Sequence, residues 1–183
     1  MTQRALIILH PGFEEMEAIA PIDLLARAGV EVIQASTEDT LLVEGRNGIT
    51  IQGTHRLTDV ANEDFDAIIL PGGPGIKRLR GDPLIVDCLQ RNHQSGKLIA
   101  CICAAPLLLL DAGLLRDIKY TAHPSTSGDL SAASEEAVVD AGQIITSRGA
   151  GTATEFALAL IRKLCGDEQA KDISAAICWS HSF

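Results

Sequence analysis

Along this chain, short aliphatic runs alternate with longer stretches in which apolar residues recur at helical spacing. Residues 5–9 form one such run. It is broken by His10-Pro11-Gly12, and residues 14–28 follow with helical period and Gly29 where a C-cap belongs, so the pattern predicts strand, turn and helix. Residues 30–35 read as a second strand. Residues 41–43 and 49–52 are shorter extended pieces around Gly45-Arg46-Asn47-Gly48, as in a hairpin. Residues 65–70 are a third aliphatic strand, followed by Pro71-Gly72-Gly73-Pro74-Gly75, a helix over 83–92, a strand over 98–102 and a helix over 106–112. A late strand at 143–146 precedes a helix at 154–164, where Phe156, Leu158, Leu160, Ile161 and Leu164 make an apolar face. Thr152-Ala153-Thr154-Glu155 fits a capping box at its start. Pro21 lacks the amide that would reach the Glu17 carbonyl, so the first helix is expected to be irregular there.

This alternation predicts an α/β sandwich with a mostly parallel sheet, because parallel strands need helical crossovers and burial on both faces. The 183 residues fit one domain spanning 1–183, with no repeat, low-complexity tract or linker. A net charge of −9 argues against a nucleic-acid partner, whose phosphates require clustered Lys and Arg. The longest apolar run, 98–110, contains Pro106 and is shorter than the ~20 residues of a membrane span. The first residues lack the apolar segment of a signal peptide, so the expected location is cytoplasmic. Five cysteines without paired metal-ligand spacing read as reduced thiols, and the five His form no zinc motif; no metal or cofactor is expected.

Candidate chemistry gathers just past the strands' carboxyl ends, where open α/β sheets place their ligands. Three features fall there: Glu14, Glu15 and Glu17 after the first strand, Gly72-Gly73 after the third, and Cys103 after 98–102. Cys101-Ile102-Cys103-Ala104-Ala105 has the small-x-nucleophile-x-small spacing of a sharp strand-to-helix turn. A thiol at a helix start has its pKa lowered by free amides, although a free cysteine in an apolar strand is equally an ordinary core residue. Cys101, two residues earlier, is expected on the same side as Cys103. A buried Glu17 beside Cys103 could hold or move a proton, yet all three glutamates also fit the acidic first turn favoured by a helix dipole. Gly72-Gly73 allows backbone amides to form an anion nest, or is simply a turn. Among the histidines, His123 lies in a loop able to reach the cleft.

The segments GFEEMEAIAPIDLLARAG, ILPGGPG, LIACICAAP, TAHP and TSRGAGTATEFALALI resemble, in this order, the ThiJ/PfpI superfamily, in the branch of the Parkinsonism-associated deglycase and its bacterial relatives. The resemblance implies a flavodoxin-like three-layer sandwich and a homodimer. It maps the reactive cysteine onto Cys103, its glutamate onto Glu17, and the amides beside the sulfur onto Gly72, Gly73 and Ala104. It further matches His123 to a histidine near the cleft, Arg46 to the anion-binding site, and Met16, Arg27 and Arg46 to the dimer interface. Protease-like members carry a histidine after the nucleophile; Ala104 stands there, which disfavours a peptidase.

The resulting expectation is a cofactor-free enzyme in which the Cys103 thiolate adds to a small reactive dicarbonyl or glycated adduct while Glu17 moves the proton, as in a glutathione-independent glyoxalase or deglycase. Two alternatives remain at this level: a redox sensor or stress chaperone working through a Cys103 sulfinate, and a hydrolase or hydratase of another small metabolite.

Overall fold

A computed structural model describes residues 2–180. In chain order it contains β1 (Arg4–Leu9), α1 (Glu15–Arg27), β2 (Glu31–Ser36), β3 (Leu42–Glu44), β4 (Thr50–Gln52), β5 (His55–Arg56), α2 (Leu57–Val60), β6 (Ala67–Leu70), α3 (Ile76–Leu79) and α4 (Pro83–Gln94). There follow β7 (Leu98–Ile102), α5 (Pro106–Asp111), β8 (Val138–Asp140), β9 (Ile144–Ser147), α6 (Ala153–Cys165) and α7 (Asp167–Ala176). Seven strands make the main sheet in the order β5-β2-β1-β6-β7-β9-β8, and β3-β4 form a separate hairpin. All neighbours in the main sheet are parallel except β8, which runs against β9. Its five principal strands therefore have the flavodoxin-like order, with the connection reversing direction between β1 and β6.

The aliphatic runs become central strands because both sheet faces are covered. Register aligns Ile7 with Ile69, Ile69 with Ala100 and Ala100 with Ile145, a row that packs on one face with Leu25 of α1 and Phe156 and Leu160 of α6. The alternate residues Ile8, Ile68, Ile99 and Ile144 share the other face with Leu89 of α4 and Leu108 of α5. Two cores thus flank one sheet.

One local expectation is corrected. Thr152 does not cap α6: its hydroxyl donates to the Gly149 carbonyl at 2.8 Å and lies 2.6 Å from Ser147 Oγ, because a 3₁₀ turn over Ala150–Thr152 precedes the helix. Helix α1 continues through Pro21, its first turn fastened by Glu14, whose Oε2 accepts the Glu17 amide at 3.0 Å. No helix among the described residues is long and apolar enough to cross a membrane.

Candidate active site

Three loops leave the carboxyl ends of β1, β6 and β7 at the point where the strand order reverses, and each contributes to one cluster. Strand β7 is buried throughout, and the chain turns at its end. Cys103 takes a left-handed conformation, φ 64°, which a residue with a Cβ seldom adopts outside a functional turn. Its amide donates to the Ser147 carbonyl at 2.9 Å, and its own carbonyl accepts from the His123 amide at 2.8 Å. These two bonds hold the strained residue. They also take its side chain out of the strand's alternation: Cys101 belongs to the core on the α4 and α5 side, whereas Cys103 packs against the α1 and α6 side. The expectation that the two sulfurs share a side is thus overturned by the turn itself.

Glu17 is fully buried, and its Oε2 accepts the Gly72 amide at 2.8 Å. Oε1 is buried without a hydrogen bond of ordinary geometry, and the carboxyl interacts with the Cys103 thiol. Burial raises the Glu17 pKa to about 7, against the opposing pull of the thiol and the Gly72 amide. The Cys103 thiol is pushed up to about 12, first by burial and then by the charge and hydrogen bond of Glu17, while the Gly73 and Ala104 amides favour the anion. The lowering expected from position alone is opposed here by burial and by the Glu17 carboxyl. Above about pH 7 the pair holds one proton between oxygen and sulfur.

The glycines divide their work differently from the expectation. Gly72 uses its amide on Glu17, so it is not free to face an oxyanion; Gly73 and Ala104 supply the amides beside the sulfur. Gly72 is required sterically, since a Cβ there would stand 2.7 Å from Cys103 Cβ and 2.8 Å from both Ala104 N and Glu17 Oε2. The other glutamates have structural duties. Glu14 caps α1, and Glu15 accepts the Asn47 amide at 2.6 Å and its Nδ2 at 2.9 Å, fastening the β3-β4 hairpin to the start of α1.

Over this cluster opens a cleft of about 490 Å³ lined by Cys103, Gly73, Ala104, His123 and Arg46, together with Lys77 and Arg80, which sequence reasoning did not single out. His123 is exposed, and its Nδ1 accepts the Ser125 amide at 3.1 Å, which leaves Nε2 to carry the proton of the neutral ring. Arg27 lies away from the cleft, ion-paired with Asp23 at 3.0 Å, and Met16 is 59% exposed on α1. Among the described residues no group of three or more His, Cys, Asp or Glu is arranged to hold a metal ion. Also missed from sequence were the Ser147 carbonyl, which no side-chain pattern could reveal, and His10. The His10 ring is buried between the carbonyls of Pro11, 3.3 Å away, and Pro71, 3.2 Å away, linking the loops after β1 and β6.

Comparison with known proteins bears on the family and the fold. Residues 3–163 match the DJ-1/PfpI family. Protein dj-1beta of Drosophila melanogaster is 38% identical over 182 residues, covering 97% of each chain. A glutathione-independent glyoxalase of Caenorhabditis elegans, DJR-1.2, is 37% identical over 179 residues, covering 95% of each. Among solved structures, oxidized Toxoplasma gondii DJ-1 superposes with a TM-score of 0.93 at 38% identity, covering 98% of this chain and all of that one.

Proposed function

Since the chain belongs to the DJ-1/PfpI family, we propose that it is a cofactor-free enzyme acting on small reactive dicarbonyls through Cys103, with Glu17 as the proton carrier. The observation that carries this reading is the buried Glu17 carboxyl, held through one oxygen by the Gly72 amide and coupled to a thiol on a strained turn. Such a pair activates a nucleophile without a free thiolate: the carboxylate takes the thiol proton as sulfur attacks. A relative named as a glutathione-independent glyoxalase supports the substrate class.

For methylglyoxal, sulfur adds to the aldehyde carbon and the aldehyde oxygen, gaining a proton, becomes the hydroxyl of a hemithioacetal. The amides of Gly73 and Ala104 favour the developing oxyanion. Glu17 removes the proton from the former aldehyde carbon and returns it to the neighbouring carbon, while the hydroxyl proton passes to the neighbouring carbonyl oxygen, which leaves the thioester of a 2-hydroxy acid. Water cleaves it, releasing lactate and restoring the thiol; glyoxal gives glycolate by the same steps. Addition to early glycation adducts would extend the chemistry to deglycation. The protein is further proposed to work as a cytoplasmic homodimer.

Lactate formation from methylglyoxal without glutathione tests the proposal. Cys103→Ala is expected to abolish it, and Glu17→Gln to lower kcat by about 10²- to 10⁴-fold, the usual worth of a positioned base. In the wild type kcat/KM should rise with pH through about 7, as Glu17 loses its proton, and that rise should vanish in Glu17→Gln. A protein that only senses oxidation would give no turnover, and equal turnover in Cys103→Ala would remove the sulfur from the mechanism.

A further inference from the structure

The cleft is larger and more cationic than a neutral three-carbon aldehyde requires. Its volume of about 490 Å³ is in the range that accommodates much bigger ligands. Arg46, Lys77 and Arg80 line it in a chain whose net charge is −9. Arg80 is occupied: Nε and Nη2 grip Asp111 at 2.7 and 2.8 Å, and Nη1 lies 3.9 Å from Asp129, the carboxylate among the lining residues. Arg46 and Lys77 have no carboxylate within 4.0 Å among the described residues, as is true also of Arg78, Arg116 and Lys171, none of which lines the cleft, whereas Arg4, Arg27, Arg56, Arg91, Lys97 and Lys163 are all paired. The two unpaired cations of the cleft come from different segments. Arg46 is on the hairpin turn, its amide donating to the Phe13 carbonyl at 2.8 Å, and Lys77 is on α3 directly after the Gly73 loop.

Arg46 acts through its charge on the Glu17 carboxyl, favouring its anion, whereas Lys77 has no such role, and a neutral aldehyde gives Lys77 nothing to bind. Two positive charges lining one cleft make a field that favours a negatively charged ligand. We propose that Lys77, beside the Arg46 that the resemblance assigns to anion binding, is a specificity-determining residue that selects α-oxoaldehydes carrying an anionic tail, a carboxylate or a phosphate, whose aldehyde carbon reaches Cys103. This rests on the reading of Cys103 as the nucleophile toward dicarbonyls. For a carboxylate example, 4,5-dioxopentanoate would form the hemithioacetal through its aldehyde, pass to the thioester by the same proton shift, and leave with one water as 2-hydroxyglutarate.

Two measurements test the inference separately from the reading beneath it. The first is the rate of Cys103 alkylation by anionic iodoacetate relative to neutral iodoacetamide, followed by peptide mass, which needs no turnover. Lys77→Glu is expected to lower this ratio at least about threefold, Lys77→Gln by less, and high salt should reduce it in the wild type, as for exposed charges. The second compares kcat/KM for 4,5-dioxopentanoate and for a phosphorylated oxopropanal with that for neutral 2-oxopentanal. At least one anionic substrate should be preferred severalfold, the preferred one identifying the tail, and the preference should fall in Lys77→Gln. Methylglyoxal turnover with no charge preference in either measurement overturns this inference alone. An intact alkylation preference with no turnover of any aldehyde overturns the dicarbonyl reading, and with it the substrate class named here.

Discussion

Glu17 carries both the chemistry of this site and its cost. Its carboxyl must stay protonated up to about pH 7 in the folded protein, whereas in the unfolded chain it ionises near its ordinary value of 4.5. A raised carboxyl pKa favours the fold fully below 4.5, and that advantage is lost as pH rises toward 7. The difference corresponds to about 3 kcal/mol above pH 7. Glu17→Gln keeps an acceptor for the Gly72 amide and removes the ionisation. Its stability advantage over wild type is therefore expected to grow by about 3 kcal/mol between pH 4.5 and 8 in denaturant titrations. A constant difference would mean that Glu17 is charged in both states. His10 moves stability the opposite way, since burial lowers its pKa and the fold weakens as pH falls below 6.5, but this contribution cancels between wild type and variant. The cysteine of this pair was legible from the small residues around it. Its carboxylate was not separable by spacing: Glu14, Glu15 and Glu17 all suit a helix start, and only tertiary structure turns one to a cap, one to the hairpin and one to the sulfur.

The elements that position the site are strands ending together and loops that must pass close to one another. Gly72 is where that closeness bears on the proton pair, with three neighbours, Cys103 and Glu17 among them, inside 3 Å of any added Cβ. Gly72→Ala is expected to cost about 1–3 kcal/mol through overpacking and to depress turnover by more than stability alone explains, because the intruding methyl separates Glu17 from Cys103. Gly151→Ala, where nothing lies within 4 Å, serves as the control and should change melting and turnover little. Equal effects of the two substitutions would deny Gly72 its steric role. Strands β1, β2, β6, β7 and β9 and the long helices were readable because continuous aliphatic runs and helical periods survive burial on both faces. Strand β5, two exposed residues, and β8, three residues at the sheet edge, carry too few apolar positions to register as a pattern. Helix α7 buries only Ala170, Ile173 and Ser174, a face too weak to announce itself. The amide of Gly72 was assigned to the wrong acceptor for a related reason: a glycine pair says that backbone can approach, not which donor meets which group.

At the scale of the molecule, the strand reversal between β1 and β6 brings the loops of Glu17, Gly72 and Cys103 to one place, and the surface beside that place is unusually apolar. Met16 at 59% and Ile19 at 45% exposure lie one turn apart on α1, while Leu42 at 59% and Ile49 at 56% belong to the hairpin that Glu15 fastens to the start of that helix. Large apolar side chains exposed on adjoining elements point to a protein partner, and the proposed second copy of the chain would cover them. Light scattering at micromolar concentration should then give twice the 19.4 kDa of one chain. Met16→Glu should shift the dimer toward monomer, because an interface centre tolerates a buried unpaired charge poorly, whereas Leu110→Glu, at a side chain 40% exposed at the end of α5, should leave it intact. Met16 stands between Glu15 and Glu17, and Arg46 of the cleft rides on the same hairpin as Leu42 and Ile49. Loss of the partner should consequently loosen the site as well as the interface. Turnover by Met16→Glu is expected to fall at low protein concentration and recover as concentration restores the dimer. A wild-type protein that is monomeric at micromolar concentration, or a Met16→Glu variant whose mass and turnover match wild type at every concentration, would detach this apolar surface from the function of the cleft.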